Sequence, residues 1–241
     1  MLADLFKGAG YFFAGLGMIN RPGLRRYIVI PLLINIVLFT LLVVWLTGEF
    51  GALVALYAPQ LPDWLAWLDS VVWLLFALII AIAIFFSFAI VANLVAAPFN
   101  SLLAEAAEAQ LTGTAPADGG WLKGVHEAPR ALFDELRKLG YFLRFAIPLL
   151  LLFLIPVLNL AAPLLWGLFS AWLLALEYLD YPLGNHDLRL KQQRELLSRR
   201  RPLAFGFGVI VLFATIIPFV NLLAIPAATL GATVLWVKEL R

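Results

Sequence analysis

Long runs without a single charged residue alternate along this chain with short basic segments. Four runs stand out, at 27–48, 70–104, 145–176 and 202–237. The first is 22 residues long, about 33 Å as helix, which matches a hydrocarbon core of about 30 Å. The second has 35 residues, with Pro98 and Asn100 marking a change within it. Its apolar part, 71–97, suits one long or tilted span. The pattern therefore predicts two transmembrane helices, at 27–48 and 70–98.

The third and fourth runs are each broken at the centre by the same pattern. Ile155-Pro156-Val157-Leu158-Asn159 in one answers Ile217-Pro218-Phe219-Val220-Asn221 in the other, at an offset of 62 residues that also carries Glu177 onto Glu239. This is an internal repeat of a hairpin unit. Proline interrupts a helix, and asparagine favours turns and caps. Each run predicts two arms of about 15 residues, about 22 Å each, too short to cross the bilayer comfortably. The expectation is two re-entrant hairpins, at 145–179 and 202–238. Asn159, Asn221, Pro156 and Pro218 at the tips either line a permeation path, since irregular backbone at membrane depth needs protein or water around it, or simply close the turns.

Composition agrees with lipid as the main solvent. Hydrophobic residues make up 63%, charged residues 13%, and the mean hydropathy is +0.97, against about a quarter charged in soluble domains. A soluble chain of this length has too much surface for so few polar residues. The fold class expected is an all-α integral membrane protein. All 17 Lys and Arg lie outside 27–122, and the connection 49–69 holds acids only. The positive-inside rule puts that connection in the periplasm and every basic segment in the cytoplasm. A single side for all basic segments requires the third and fourth runs to return to the face they left. No cleavage site follows the N-terminal apolar run, so no removable signal is expected.

Three amphipathic stretches complete the organisation of what reads as one membrane domain, 1–241. Residues 1–20, glycine-rich with Tyr11, Phe12 and Phe13, predict an interfacial helix. The cytoplasmic helical segment 99–144 contains Leu132, Phe133, Leu136, Leu139 and Leu143 at helical spacing, with Asp134 and Lys138 as an i,i+4 pair. Residues 184–201 predict a basic amphipathic helix ending in Arg199-Arg200-Arg201, which either sets topology or meets anionic lipid.

Chemistry concentrates before the first span, in Arg21-Pro22-Gly23-Leu24-Arg25-Arg26-Tyr27. Proline and glycine let the chain turn. The next helix then opens with unpaired amides and a dipole that favours negative charge. Two arginines there add forked donors suited to an oxyanion. The plainer account is that arginines flanking a span set topology or touch lipid phosphate. Tyr27 could pack its ring beside the anion. Glu105 and Glu108 share a helix face, as a carboxylate pair, a proton relay or, more simply, a salt-bridged surface. His126 and His186 are far apart, so no metal site is expected, and His186 is expected to hydrogen-bond within its own turn. Without cysteine there are no disulfides or thiolate ligands. No phosphate-binding loop, His-Glu-x-x-His or Gly-x-Ser-x-Gly pattern occurs. The chain is therefore not expected to be an enzyme, to hold a cofactor or to bind nucleic acid.

Several separated motifs carry a resemblance. Gly23-Leu24-Arg25-Arg26-Tyr27-Ile28-Val29-Ile30-Pro31-Leu32-Leu33-Ile34-Asn35 resembles the start of the CysZ family of bacterial sulfate permeases, within the etoposide-induced membrane protein superfamily. Ala97-Pro98-Phe99-Asn100 with Leu102-Leu103-Ala104-Glu105, and Tyr178-Leu179-Asp180-Tyr181-Pro182-Leu183-Gly184-Asn185-His186, are similar to it too. The resemblance covers essentially the whole chain. It implies channel-like sulfate uptake through the bacterial inner membrane for cysteine biosynthesis, with Gly23, Leu24, Arg25 and Arg26 as the sulfate site. It also implies sulfate ion and membrane lipid as partners and a homo-oligomer, and leaves open whether its subunits insert in one orientation or both. The other function weighed is a non-transporting structural or assembly protein of the membrane.

Overall fold

Lipid supplies no hydrogen bonds, so long apolar runs satisfy their backbone internally, as helix. Helix is the one regular structure among the described residues of the computed structural model. These are residues 1–57, 62, 67–114, 121–217 and 220–241, with the side chains of 93 and 121–135 left aside. The order is α1 (Leu2–Met18), α2 (Arg25–Tyr57), α3 (Asp69–Thr112), α4 (Trp121–Leu152), α5 (Ala162–Gly184), α6 (Leu190–Arg199), α7 (Arg201–Ile216) and α8 (Val220–Leu235). A 3₁₀ turn, Leu158–Leu160, precedes α5, and a π turn, Trp236–Leu240, closes the chain. Pro218 and the side chains of His126 and Asp134 lie outside the described residues.

Several helices run past the boundaries expected from sequence. The second apolar helix continues through Pro98 to Thr112. Proline removes one backbone bond, but the residues after it, Ala104, Ala106, Ala107 and Ala109 among them, are strong helix formers. α4 joins the amphipathic segment and the first hairpin arm in a single helix of 32 residues. α5 has 23 residues, about 34 Å, so this arm exceeds the 15 residues expected of it. By length and composition α2, α3, α5 and the stretch Val220–Leu240 are each apolar enough to cross a membrane.

The chain divides into two units, Val29–Phe99 and Met1–Ile28 with Asn100–Arg241. In the first, the large apolar side chains of α2 and α3 are mostly exposed, from Leu33 and Val37 to Phe86 and Leu94. That is the surface expected of helices facing lipid tails. Their few hydroxyls bond back onto their own helix: Thr40 Oγ1 donates to the Ile36 carbonyl and Ser87 Oγ to the Ala83 carbonyl, both at 2.8 Å.

The second unit holds the larger core. α1 lies against α7 and α8, and α5 packs on α7 and α8 as well. Glycine makes this possible, because backbones approach closely where no side chain intervenes. A Cβ on Gly15 would stand 2.1 Å from the Ala227 carbonyl oxygen, and one on Gly206 would stand 2.0 Å from that of Leu5. The predicted interfacial helix therefore buries Gly8, Tyr11, Phe12, Gly15 and Met18 and exposes Leu2, Phe6 and Phe13 on the opposite face.

The helix breaks fall between Leu152 and Ala162 and between Ile216 and Val220. One backbone bond recurs in both repeats: the Asn159 amide donates to the Ile155 carbonyl and the Asn221 amide to the Ile217 carbonyl, each at 3.0 Å.

Candidate functional site

The loop between α1 and α2 is built by short backbone bonds. The Arg21 amide donates to the Met18 carbonyl at 2.9 Å, and the Leu24 amide to the Arg21 carbonyl at 3.3 Å. Gly23 sits at φ +86°, a conformation that side chains disfavour. The turn sends Leu24 inward and the arginines outward. Leu24 is fully buried, in the core cluster that also holds Met18, Leu103 and Ala107, while Gly23, Arg25 and Arg26 are exposed.

Leu24 therefore anchors the loop and Arg25 opens α2. Arg25 Nε donates to the Asn20 carbonyl at 3.0 Å. Arg26 Nη2 donates to Tyr27 Oη at 2.8 Å, with its guanidinium carbon 4.7 Å from the Tyr27 ring centroid. Each guanidinium has five N–H donors, and these contacts engage only one of them. The Tyr27 amide donates to the Leu24 carbonyl, whereas those of Arg25 and Arg26 have no backbone acceptor among the described residues. The arrangement presents forked cations and open amides at a helix N-terminus, the electrostatics that an oxyanion requires.

A clamp holds the loop from α3. Gln110 Nε2 donates to the Pro22 carbonyl at 2.9 Å, next to the glycine that turns the chain. Sequence reasoning missed Gln110, although a signal was available: Leu103, Ala107 and Gln110 lie on one helical stripe, and the first two are fully buried.

The same end of α3 meets the third motif. Asn100 Nδ2 donates to Tyr181 Oη at 3.3 Å. Ser101 Oγ lies 2.6 Å from Asn185 Oδ1, and Asn185 Nδ2 donates to the Ser101 carbonyl at 3.1 Å. His186 Nε2 is 2.9 Å from both carboxylate oxygens of Glu108, so the expectation that His186 bonds within its own turn is corrected. The Tyr181–Asp187 turn closes through its backbone instead, with Asp187 at φ +58° and the Leu188 amide donating to the Leu183 carbonyl at 3.1 Å. That leaves the ring free to reach α3. Arg241 Nη1 lies 3.5 Å from Glu108 Oε1, which makes Glu108 a salt-bridged carboxylate that is itself buried. Three motifs distant in sequence thus converge around the last turns of α3.

The other candidates stand apart. Asn159, Asn221 and Pro156 are exposed, and neither asparagine side chain has a hydrogen-bond partner among the described residues. Their backbone amides, rather than their side chains, close the turns. Lys138 meets Asp180 on α5 at 2.5 Å; the side chain of Asp134, its expected i,i+4 partner, lies outside the described residues. The three terminal arginines of the basic helix are all exposed, and Arg200 approaches Glu239 at 3.7 Å.

Comparison with known proteins adds the decisive observation. Residues 11–226 match the family model described as sulfate transporter CysZ/etoposide-induced protein 2.4. The chain belongs to this family. Among its relatives, the sulfate transporter CysZ of Pectobacterium atrosepticum is 43% identical over 236 residues, covering 98% of this chain and 86% of that protein. The sulfate transporter CysZ of Pseudomonas fluorescens is 42% identical over 240 residues, covering 99% and 96%. That of Vibrio parahaemolyticus is 42% identical over 235 residues, covering 97% and 95%. With four helices among the described residues apolar enough to cross a bilayer, this CysZ-family chain is a multi-pass membrane protein.

Proposed function

We propose that this CysZ-family chain is a sulfate transporter of the bacterial inner membrane, giving channel-like uptake that feeds cysteine biosynthesis. The observation that carries the reading is the pair of exposed guanidiniums, Arg25 and Arg26, at the start of α2 on a loop fixed by buried Leu24, in a chain whose relatives are named sulfate transporters. Sulfate binds at Gly23, Leu24, Arg25 and Arg26: the arginines supply charge-assisted donors, and the first amides of α2 supply neutral ones.

In this reading α2 and α3 span the membrane. The α4–α5 and α7–α8 hairpins enter and return, which keeps every basic segment on one face. Their tips, with Asn159, Asn221, Pro156 and Pro218, line the path, and the functional assembly is a homo-oligomer. No charged residue interrupts 27–48 or 71–97, so flux runs down the sulfate gradient rather than through a proton relay within those spans.

Proteoliposomes loaded with buffer and exposed to radiolabelled sulfate test this directly. Wild-type protein should pass sulfate well above empty vesicles. Arg25→Ala with Arg26→Ala should lower sulfate affinity at least ~10-fold, as the loss of charge-assisted hydrogen bonds implies, while size-exclusion behaviour stays unchanged because both side chains are exposed. Wild-type flux equal to that of empty vesicles overturns the transport reading. Unaltered affinity in the double variant overturns the site.

A further inference from the structure

The basic helix α6 turns distinct faces to its surroundings. Gln193 and Leu197 are buried, and Leu190 and Gln193 line a pocket of about 500 Å³ between α4, α5 and α6. Lys191 and Arg194, three residues apart, neighbour each other along one flank of that face. Arg199 lies five residues beyond Arg194, about 140° further round the helix.

The pocket itself is apolar, with Leu139 and Phe142 from α4 and Leu173 and Leu174 from α5 among its walls. Leu139 leaves half of its surface exposed, at 50%, so the pocket has a leucine rim. Its volume is that of a small-ligand site, and its walls suit a hydrocarbon chain. The polar groups of the lining are matched within the protein. Lys138 Nζ meets Asp180 Oδ2 at 2.5 Å and Gln193 Nε2 donates to Asp180 Oδ1 at 2.5 Å, and Glu177 is engaged as well.

Arg194 is not matched in this way. It is half-buried, with its guanidinium carbon 4.1 Å from the centroid of the Tyr141 ring, which lines the pocket. The Tyr141 hydroxyl accepts from the Trp172 indole N–H at 3.0 Å, and this holds the ring in place. Among the described residues no carboxylate pairs with Arg194 or with Lys191, their neighbour Glu195 included. A cation drawn partly out of water without an acid is costly, and an aromatic face recovers only part of that cost. The guanidinium keeps its N–H donors for another acceptor. An apolar slot with an unmatched guanidinium at its rim, and a second unmatched cation one turn away, is the complement of an anion that carries a hydrocarbon chain. For a membrane protein the surrounding bilayer supplies that chemistry, as phospholipid of net negative charge.

We propose that the pocket between α4, α5 and α6 is a binding site for an anionic phospholipid. One acyl chain lies along Leu139, Phe142 and Leu173, and the phosphate is held by Arg194 with Lys191 beside it. None of these residues belongs to the loop before α2, so the site stands independently of the sulfate reading.

The test is native mass spectrometry of the purified full chain with dioleoyl phosphatidylglycerol and dioleoyl phosphatidylcholine. The two lipids share chains and phosphate, and the choline ammonium cancels the net charge of the second. Wild-type protein should retain the glycerol lipid about 10-fold more strongly. Arg194→Gln should cut that preference about 5-fold, the contribution of one cation beside an anionic headgroup, while Arg194→Lys, which keeps the charge, should retain most of it. Arg199→Gln, on another side of the same helix, should leave it unchanged. Leu139→Trp should fill the mouth and lower retention of both lipids. Glycerol phosphate, a headgroup without chains, and sulfate should displace nothing at millimolar concentration. Equal retention of the two lipids overturns the site, as does undiminished retention in Leu139→Trp. A loss in Arg199→Gln as large as that in Arg194→Gln also overturns it, since the attraction is then diffuse. So does displacement by glycerol phosphate or sulfate, which makes the occupant a free anion. A wild-type chain that holds no lipid and self-associates through this face, with Leu139→Trp dispersing the assembly, overturns it too, because a second copy is then the occupant.

Discussion

The α7–α8 hairpin is gripped from one side by α1 and from the other by α5, whereas the first half of α5 leaves Leu164, Leu165 and Leu168 exposed. Both hairpins come from the same repeat, and both close their turns with the same asparagine amide bond. Side-chain size separates them. From Ala224 to Leu235, α8 carries Ala227, Ala228, Thr229, Gly231, Ala232 and Thr233, all buried. Small residues let helix backbones meet, and bulky apolar ones suit lipid equally well whether or not a neighbour is present. Burial inside a membrane protein therefore follows smallness more than hydrophobicity.

The repeated glutamates part in the same way. Glu177 is exposed on α5. Glu239, its counterpart, has a side chain only 8% exposed, with Lys7 Nζ at 2.6 Å and Tyr11 Oη at 2.5 Å on one oxygen and Arg200 Nη1 at 3.7 Å from the other. Burial, reinforced by the hydrogen bond to Glu239, pushes the Tyr11 phenol well above its ordinary pKa. It therefore stays a donor throughout the physiological range, and the three contacts tie α1 and the α6–α7 junction to the C-terminal turn.

The largest expected contrast is steric. Gly15→Leu drives a side chain into the Ala227 backbone and should abolish recovery of monodisperse protein. Gly167→Leu on α5, where a Cβ meets nothing within 4 Å, should be recovered normally. Equal tolerance at both positions would break the distinction between the two hairpins. Next come the aromatics. Phe207→Ala removes a fully buried ring and should cost ~3–5 kcal/mol, seen as a clear drop in melting temperature, while Phe213→Ala, at a 61% exposed position of the same helix, should barely shift it. The glutamates follow: Glu239→Ala should destabilise by ~2 kcal/mol through lost charged hydrogen bonds, and Glu177→Ala, on the surface, by well under ~1 kcal/mol.

The smallest changes in stability concern the loop and the tips. Gln110→Met keeps the length of the side chain and deletes the donor to the Pro22 carbonyl, at ~1 kcal/mol or less. Its signature is functional: sulfate affinity should fall several-fold while Gln110→Lys, which restores a donor, recovers it. Asn159→Leu and Asn221→Leu should leave melting within ~0.5 kcal/mol of wild type, since both side chains are exposed. Sulfate flux measured in parallel then separates the two tips: a tip that lines the path loses flux, and one that only turns the chain keeps it.

Much of the architecture was open to direct reading. Charge-free runs announce apolar helices because lipid forbids unpaired backbone, and a 62-residue offset announces paired hairpins because proline halts helices locally. The turn before α2 was equally legible, since its glycine, leucine and arginines are contiguous and its shape follows from local geometry. Helix ends were less so. α3 passes Pro98 because one lost backbone bond is outweighed by the helix-forming stretch that follows and by Asn100 and Ser101, tied to Tyr181 and Asn185. Those partners are 81 and 84 residues away, and periodicity along one segment carries no record of them.

Sequence by itself determined that this chain is a helical membrane protein with arginines at the mouth of its first long helix, because solvation and local turn chemistry act on neighbours in the chain. Tertiary structure alone decided which hairpin is buried, which glycines are obligatory, and that Gln110, Glu108, His186 and Arg241 meet near one end of α3. Such pairings depend on which backbones approach within a few ångströms, and that is a property of the packed whole rather than of any one segment.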